Sequence, residues 1–175
     1  MVPPIRGHVV PFPAHAHPVC AMICPMDAMD RKMLAVLQEE GRISNAALAE
    51  RLHLSPSPCL RRLRALEREG VISGYRAVLD RKALGLGLTV FVELKVDNHS
   101  DRIAAAITDS LLGAPEVVAA HVVSGSADFL LEVVVPDLGA YERLLFGTLL
   151  KLPHVADVRS NFALRTVKPA GPLPL

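Results

Sequence analysis

The chain has 175 residues, 51% of them hydrophobic, and a formal net charge of +1. Charged side chains interrupt every long apolar stretch, which excludes a membrane-spanning segment, and the near-neutral charge excludes a protein that coats nucleic acid through bulk electrostatics. Three cysteines are too few for a disulfide scaffold and favour a reducing, cytoplasmic setting. The apolar excess favours a large subunit interface, so we expect a homo-oligomer.

Residues 1–25 contain six prolines and only one cation, so they lack the apolar core of a signal peptide and are expected to form a disordered extension. Four potential zinc ligands lie in this segment: His15, His17, Cys20 and Cys24. Their spacing does not give the paired ligands of a structural zinc site. We therefore expect no metal and no cofactor.

Three helices are predicted next. Apolar residues at four-residue spacing indicate a first helix from Asp27 to Gly41, and a second, shorter helix follows from Asn45 to Leu52. Ser55 stands before a proline at the first position of a third helix, which continues to Gly70. This order of helices predicts a helix-turn-helix unit.

A β-rich second half follows residues 71–79 and a glycine-containing linker. Its periodicity predicts strands at 88–96, 117–124, 128–135 and 157–167, and helices at 100–112 and 137–151. The order is βαββαβ, which is typical of ferredoxin-like domains. We therefore expect an α+β protein with a winged-type helix-turn-helix over 26–80, a linker over 81–88, a ferredoxin-like domain over 89–168 and a tail over 169–175.

The third helix has two different sides. At roughly 100° per residue it places Cys59, Leu60, Leu63 and Leu66 on one side and Ser57, Arg61, Arg64 and Arg68 on the other. Residues 55–68 hold four arginines against one acid, Glu67. The major groove of DNA admits such a helix, and an arginine near its start, Arg61, can donate two hydrogen bonds to guanine while later arginines meet phosphates. The alternative is a basic face that is only solvated.

Several segments resemble the Lrp/AsnC family of leucine-responsive and feast/famine regulators. They are Asp30 to Leu34, Gly41 to Asn45, Leu48 to Leu52, Leu54 to Arg62, Leu66 to Ile72 and Gly74 to Ala77. The resemblance covers about residues 27–168 and implies that the third helix is the recognition helix, that 71–79 connects it to the sensing domain, and that the protein is a dimer able to assemble further. The DNA-binding residues it suggests are Ser55, Ser57, Pro58, Arg61, Arg62, Arg64 and Arg68. His53 stands where the family usually has glycine in a left-handed conformation, so we expect a strained but intact turn.

A loop of residues 124–128 joins two apolar strands and carries Gly125 and Asp128. A carboxylate there could pair with the ammonium group of an amino acid. The alternative is a turn whose aspartate is solvated or caps the backbone. In the family the equivalent glycine and aspartate lie near an effector site between dimers, which implies a small amino-acid effector, but Ala127 replaces a frequent tyrosine and leaves the effector's identity open.

The sequence argues against two other functions. An enzyme is not expected, because His99, His121 and His154 lie in separate segments without a nucleophile motif. An amino-acid-binding module without specific DNA recognition is the stronger alternative, and the basic third helix argues against it. The sequence thus predicts a DNA-binding transcriptional regulator of amino-acid metabolism or transport.

Overall fold

The computed structural model describes residues 26–98 and 100–175. The predicted extension over 1–25, with its histidines and cysteines, lies outside the described residues, as does His99. The described chain divides into two compact units, residues 26–77 with 168–175, and residues 78–167. No helix in these ranges is both long and apolar enough to cross a bilayer.

The N-terminal unit contains three helices: α1 Ala28–Glu39, α2 Asn45–Arg51 and α3 Pro56–Arg68. They confirm the three predicted helices to within two residues at each end. Asp27 caps α1 by accepting a hydrogen bond from the Asp30 N–H, and Ser44 caps α2 in the same way. Ser55 occupies the N-cap of α3, but its side chain makes no cap hydrogen bond, and Pro56 begins the helix. Residues 71–79 form no regular strand.

One apolar cluster holds these helices together. Its buried members are Met33, Leu34, Leu48, Ala49, Leu52, Cys59 and Leu66. Each of the larger side chains contributes about 1.5–3 kcal/mol on burial. Ala49 is 1% exposed, and such a small residue lets α2 and α3 approach closely.

The C-terminal unit is a four-stranded antiparallel sheet with two helices. Its elements are β1 Leu88–Val96, α4 Asp101–Leu112, β2 Val117–Val122, β3 Phe129–Val135, α5 Leu138–Gly147, a 3-10 turn at Leu149–Lys151 and β4 Val155–Phe162. The strand order is β2-β3-β1-β4, which confirms the predicted βαββαβ arrangement.

Alternation along β1 separates the two faces of this sheet. Val90, Val92 and Leu94 are fully buried and pack with α4 and α5, whereas Phe91 faces the other way and is 41% exposed. Neighbouring residues of a strand point to opposite faces, so the helices cover only one of them. We call the second face, against which neither helix of this unit packs, the open face of the sheet.

The sequence pattern places the last strand two residues too late at its start and five residues too late at its end. The alternation predicted 157–167, whereas β4 runs from Val155 to Phe162. Phe162 pairs with Val90 near the start of β1, and one more bond joins the Ala163 N–H to the Thr89 carbonyl. Beyond this point β1 has little backbone left to pair with, and Leu164 is 98% exposed.

Candidate nucleic-acid interface and ligand loop

Helix α3 has one buried and one exposed side, as the helical wheel predicted. Cys59 is fully buried and Leu66 is 5% exposed, and Leu63 packs against the same cluster. Leu60 is only half-buried and does not belong to that cluster. The opposite side carries the exposed residues Ser57, Arg61, Arg64 and Arg68.

The positive charge on this exposed side is only weakly compensated. Within residues 26–98 and 100–175, no ion pair involves Arg61 or Arg64. Arg68 lies 3.6 Å from a Glu69 carboxylate oxygen, with 73% of its side chain exposed. The single acid of the helix, Glu67, accepts a hydrogen bond of 3.0 Å from the Tyr75 hydroxyl. Three cationic side chains therefore face solvent from one side of one helix.

Burial is the largest cause that raises the pKa of Tyr75 to about 12, and the hydrogen bond to Glu67 adds to it. The phenol therefore stays neutral at physiological pH and keeps its proton for Glu67.

The turn between α2 and α3 is fixed by the backbone. His53 adopts a left-handed φ of 54°, which confirms the expectation drawn from its place in the family pattern. The Leu54 N–H donates to the Ala49 carbonyl at 2.8 Å. The Asn45 side-chain amide donates to the Pro56 carbonyl at 3.0 Å and so joins the first turns of the two helices.

Arg62 has a different environment from the other arginines of α3. One guanidinium nitrogen, Nη1, lies 2.7 Å from Asp27 Oδ2 and 2.9 Å from Asp30 Oδ1. Hydrogen bonding to Arg62 also lowers the pKa of Asp27, second to the larger effect of the Asp30 backbone N–H. The sequence predicts Arg62 among the DNA-binding residues but gives no sign of these partners, because they lie at the start of another helix.

The loop that carries Asp128 is tied to the end of β1. The Val96 N–H donates to Asp128 Oδ2 at 2.8 Å, and the Asp128 N–H donates to the Leu94 carbonyl at 2.9 Å. Lys95 Nζ donates to the Ser126 carbonyl at 3.1 Å. The Val96 N–H is free to bond a side chain because the β1–β4 pairing shifts register between Lys95 and Val96.

Gly125 has a φ of 119°, which side chains rarely adopt, while the space where a Cβ would lie is open. The backbone conformation alone therefore explains a glycine at this position. Asp128 makes the backbone-capping contact that the alternative interpretation expects, and its carboxylate is half-buried.

Among the described residues, His121 and His154 share no hydrogen bond or ion pair with each other. His154 donates to or accepts from Asp97 at 2.9 Å, and His121 lies on β2, where it pairs with Leu130 in the sheet. No group of three potential metal ligands occurs in the described part of the chain.

Comparisons with known proteins match both units. A model of winged helix-turn-helix DNA-binding domains matches residues 26–73, and a model of the Lrp/AsnC ligand binding domain matches residues 89–173. The leucine-responsive regulatory protein of Escherichia coli strain K12 is 42% identical over 148 residues, which are 85% of this chain and 90% of that relative.

Solved structures agree. An AsnC family transcriptional regulator from Agrobacterium tumefaciens has a TM-score of 0.81 at 38% identity, covering 85% of this chain and 97% of that one. A transcriptional regulator from Neisseria meningitidis, solved in complex with L-methionine, has a TM-score of 0.80 at 37% identity, covering 85% and 96%.

Proposed function

The chain belongs to the Lrp/AsnC family of DNA-binding transcriptional regulators, and from this premise we propose that it reads its operator with α3 and is modulated by a small or apolar amino acid. We propose further that it acts in the cytoplasm on genes of amino-acid metabolism or transport. The observation that carries the proposal is the exposed side of α3, where Arg61, Arg64 and Arg68 face solvent opposite a buried apolar side.

Two arginines of this side are expected to play different parts. Arg61 lies in the first half of α3, where side chains of a recognition helix reach base edges, and Arg68 lies in its last turn, nearer the backbone of the duplex. Ser55, Ser57 and Pro58 begin the helix and are proposed to approach the groove with Arg61. Arg64 completes the basic side.

The test uses a duplex selected from a random pool by the wild-type protein, and a scrambled duplex of the same composition. Arg61→Ala should lose ~1–3 kcal/mol of binding free energy on the selected duplex and much less on the scrambled one. Arg68→Ala should weaken both duplexes alike and reduce the slope of log K against log salt by about one unit. If Arg61→Ala stays folded and binds both duplexes as the wild type does, α3 is not the reading element.

The effector proposal rests on Asp128 and Gly125. The Neisseria relative was solved with L-methionine and the Escherichia coli relative is named leucine-responsive, which makes L-methionine and L-leucine suitable first probes. We propose that the carboxylate of Asp128 pairs with the ammonium group of the amino acid while it continues to cap the Val96 N–H.

Asp128→Asn is a sharper test than alanine, because asparagine keeps an oxygen that can accept from the Val96 N–H and loses only the charge. At ~100-fold excess over the dissociation constant, a bound amino acid should add ~2.7 kcal/mol to the stability of the wild type. This shift should disappear in Asp128→Asn and remain in Asp137→Asn, a matched change at the N-cap of α5. Equal shifts in all three proteins, measured by calorimetry, would contradict the site.

We also propose that the protein is a dimer, able to assemble further, that buries the open face of its sheet. The helices cover one face only, and Phe91 lies at the centre of the other, on β1 between β3 and β4.

A further inference from the structure

Arg62 lies on the helix proposed to read DNA, yet it is held by the start of another helix. Its Nη1 lies within 2.9 Å of carboxylate oxygens of both Asp27 and Asp30. Each acid also uses its other oxygen in the capping box of α1: the Asp30 N–H donates to Asp27 Oδ1 at 2.8 Å, and the Asp27 N–H donates to Asp30 Oδ2 at 3.2 Å. The first turn of α1 and the middle of α3 are thus joined by one closed set of charged hydrogen bonds.

This set of bonds fixes the rotation of α3 about its own axis, which apolar packing defines less sharply. Side chains of an apolar cluster tolerate small rotations and shifts of a helix, whereas hydrogen bonds between charged groups require a defined distance and direction. Arg62 is adjacent to Arg61, and successive residues are separated by roughly 100° around the helix. An α3 held at Arg62 therefore presents Arg61 in one direction.

The charges argue against a purely solvated arginine. The side chain of Arg62 is 37% exposed and that of Asp30 is 16% exposed, so the pair is partly withdrawn from water. The two carboxylates offset the cation locally, which makes it a weaker partner for phosphate than the unpaired Arg61 and Arg64 nearby.

We infer that Arg62 is a positioning residue: its bonds to Asp27 and Asp30 set the orientation of α3 in which Arg61 reaches base edges. The inference rests on the proposed function of α3 as the reading helix. It assigns to Asp30, an acid in a DNA-binding domain, a favourable effect on specific binding.

Electrostatics alone predicts the opposite effect of Asp30 on DNA affinity. Removing an acid near a polyanion should tighten binding to any duplex. Asp30→Asn should instead bind the selected duplex about tenfold more weakly, because Arg61 loses its bidentate geometry, while binding to the scrambled duplex is unchanged or tighter. Glu50→Gln, a matched neutralisation of an exposed acid on α2, should leave both affinities unchanged or increase them.

Arg62→Lys and Arg62→Met separate positioning from phosphate contact. Lysine keeps the charge but lacks the guanidinium geometry, so both variants should lose affinity for the selected duplex without a change in the salt slope. The double variant Asp30→Asn with Arg62→Met should lose no more than the stronger single variant, since both remove the same link.

Titrations at several salt concentrations, with circular dichroism to check folding, decide the matter. Any one of three results would overturn the inference. These are that Asp30→Asn binds the selected duplex as tightly as the wild type, that Arg62→Met reduces the salt slope by about 0.9, or that the losses in the double variant are additive. A wild type that selects no preferred duplex would overturn the proposed function and this inference with it. Should Asp30→Asn not fold, retention of full affinity by Arg62→Lys would overturn the inference.

Discussion

At the residue scale, His53 gives the turn between α2 and α3 a strained backbone conformation. Its φ of 54° lies in the left-handed region, where a Cβ crowds the following carbonyl. The side chain is exposed and makes no hydrogen bond within the described residues, so nothing local offsets the strain. The strain is tolerated because Leu52 and Leu54 on either side are anchored in or against the apolar cluster.

His53→Gly is therefore expected to stabilise the protein. Relief of roughly 1–2 kcal/mol of strain exceeds the roughly 0.5–1 kcal/mol of added chain entropy that glycine loses on folding. His154 offers a matched control, because it also has a positive φ, 60°, but bonds to Asp97 through its ring. Urea unfolding should show a larger gain for His53→Gly than for His154→Gly, and a His53→Gly protein no more stable than the wild type would contradict this account.

The sequence predicts the side of α3 that faces solvent, but not the partner of every side chain on it. Arg61 and Arg64 are exposed, as the helical period requires. Arg62 pairs with acids 32 and 35 positions earlier in the chain, and a helical wheel carries no information about a neighbouring helix. The same holds for Asp128, whose Oδ2 accepts from a Val96 N–H that becomes available through a register shift in the sheet.

At the scale of elements, the strands differ in how well the sequence predicts where they begin and end. β1 was predicted at 88–96 and is found there, because it is a central strand whose alternate residues are buried under helices. β4 is an edge strand, and its end is set by where its neighbour β1 begins. Alternation beyond Phe162 is present in the sequence but has no partner to pair with.

The link between α1 and α3 should depend on pH. The pKa of Asp27 lies below its ordinary value of 3.8, through the Asp30 N–H first and Arg62 second. A carboxyl whose pKa is lowered by folding adds stability at pH values above its unfolded pKa, and this contribution is lost as the pH falls through the folded pKa. Stability from Asp27 is thus fully present at pH 6 and declines below about 3.8.

Asp27→Asn tests this dependence, because asparagine is an equally good N-cap but carries no charge for Arg62. Hydrogen exchange of the α1 amides should be faster in the variant than in the wild type at pH 6, and the difference should shrink as the pH falls below 3.8. The amides of α4, in the other unit, should exchange alike in both proteins. A difference that stays constant down to pH 2.5 would show that the charge of Asp27 does not contribute.

At the scale of the whole molecule, the chain folds as two units with different tasks. The last eight residues, 168–175, cluster with the N-terminal unit, where the Gln38 side chain exchanges two hydrogen bonds with the Leu173 backbone, at 2.5 and 3.2 Å. The sequence predicts only a tail over 169–175, since a proline-rich segment shows no apolar period. The sheet of the other unit leaves Phe91 on a face that its own helices do not cover.

We expect this face to be the dimer interface, and Phe91→Asp to disrupt it. In an interface with twofold symmetry each substitution is made twice, so losing the burial of two phenyl rings, at about 1.5–3 kcal/mol each, should raise the dimer dissociation constant by at least on the order of 100-fold. Phe146, 59% exposed on α5, provides the matched control, because the same charge placed on the helical side should leave the dimer intact. Light scattering over a range of concentrations measures both variants against the wild type. A wild type that remains a monomer at every concentration would refute the dimer, and a Phe91→Asp protein that dimerises like Phe146→Asp would place the interface on another surface.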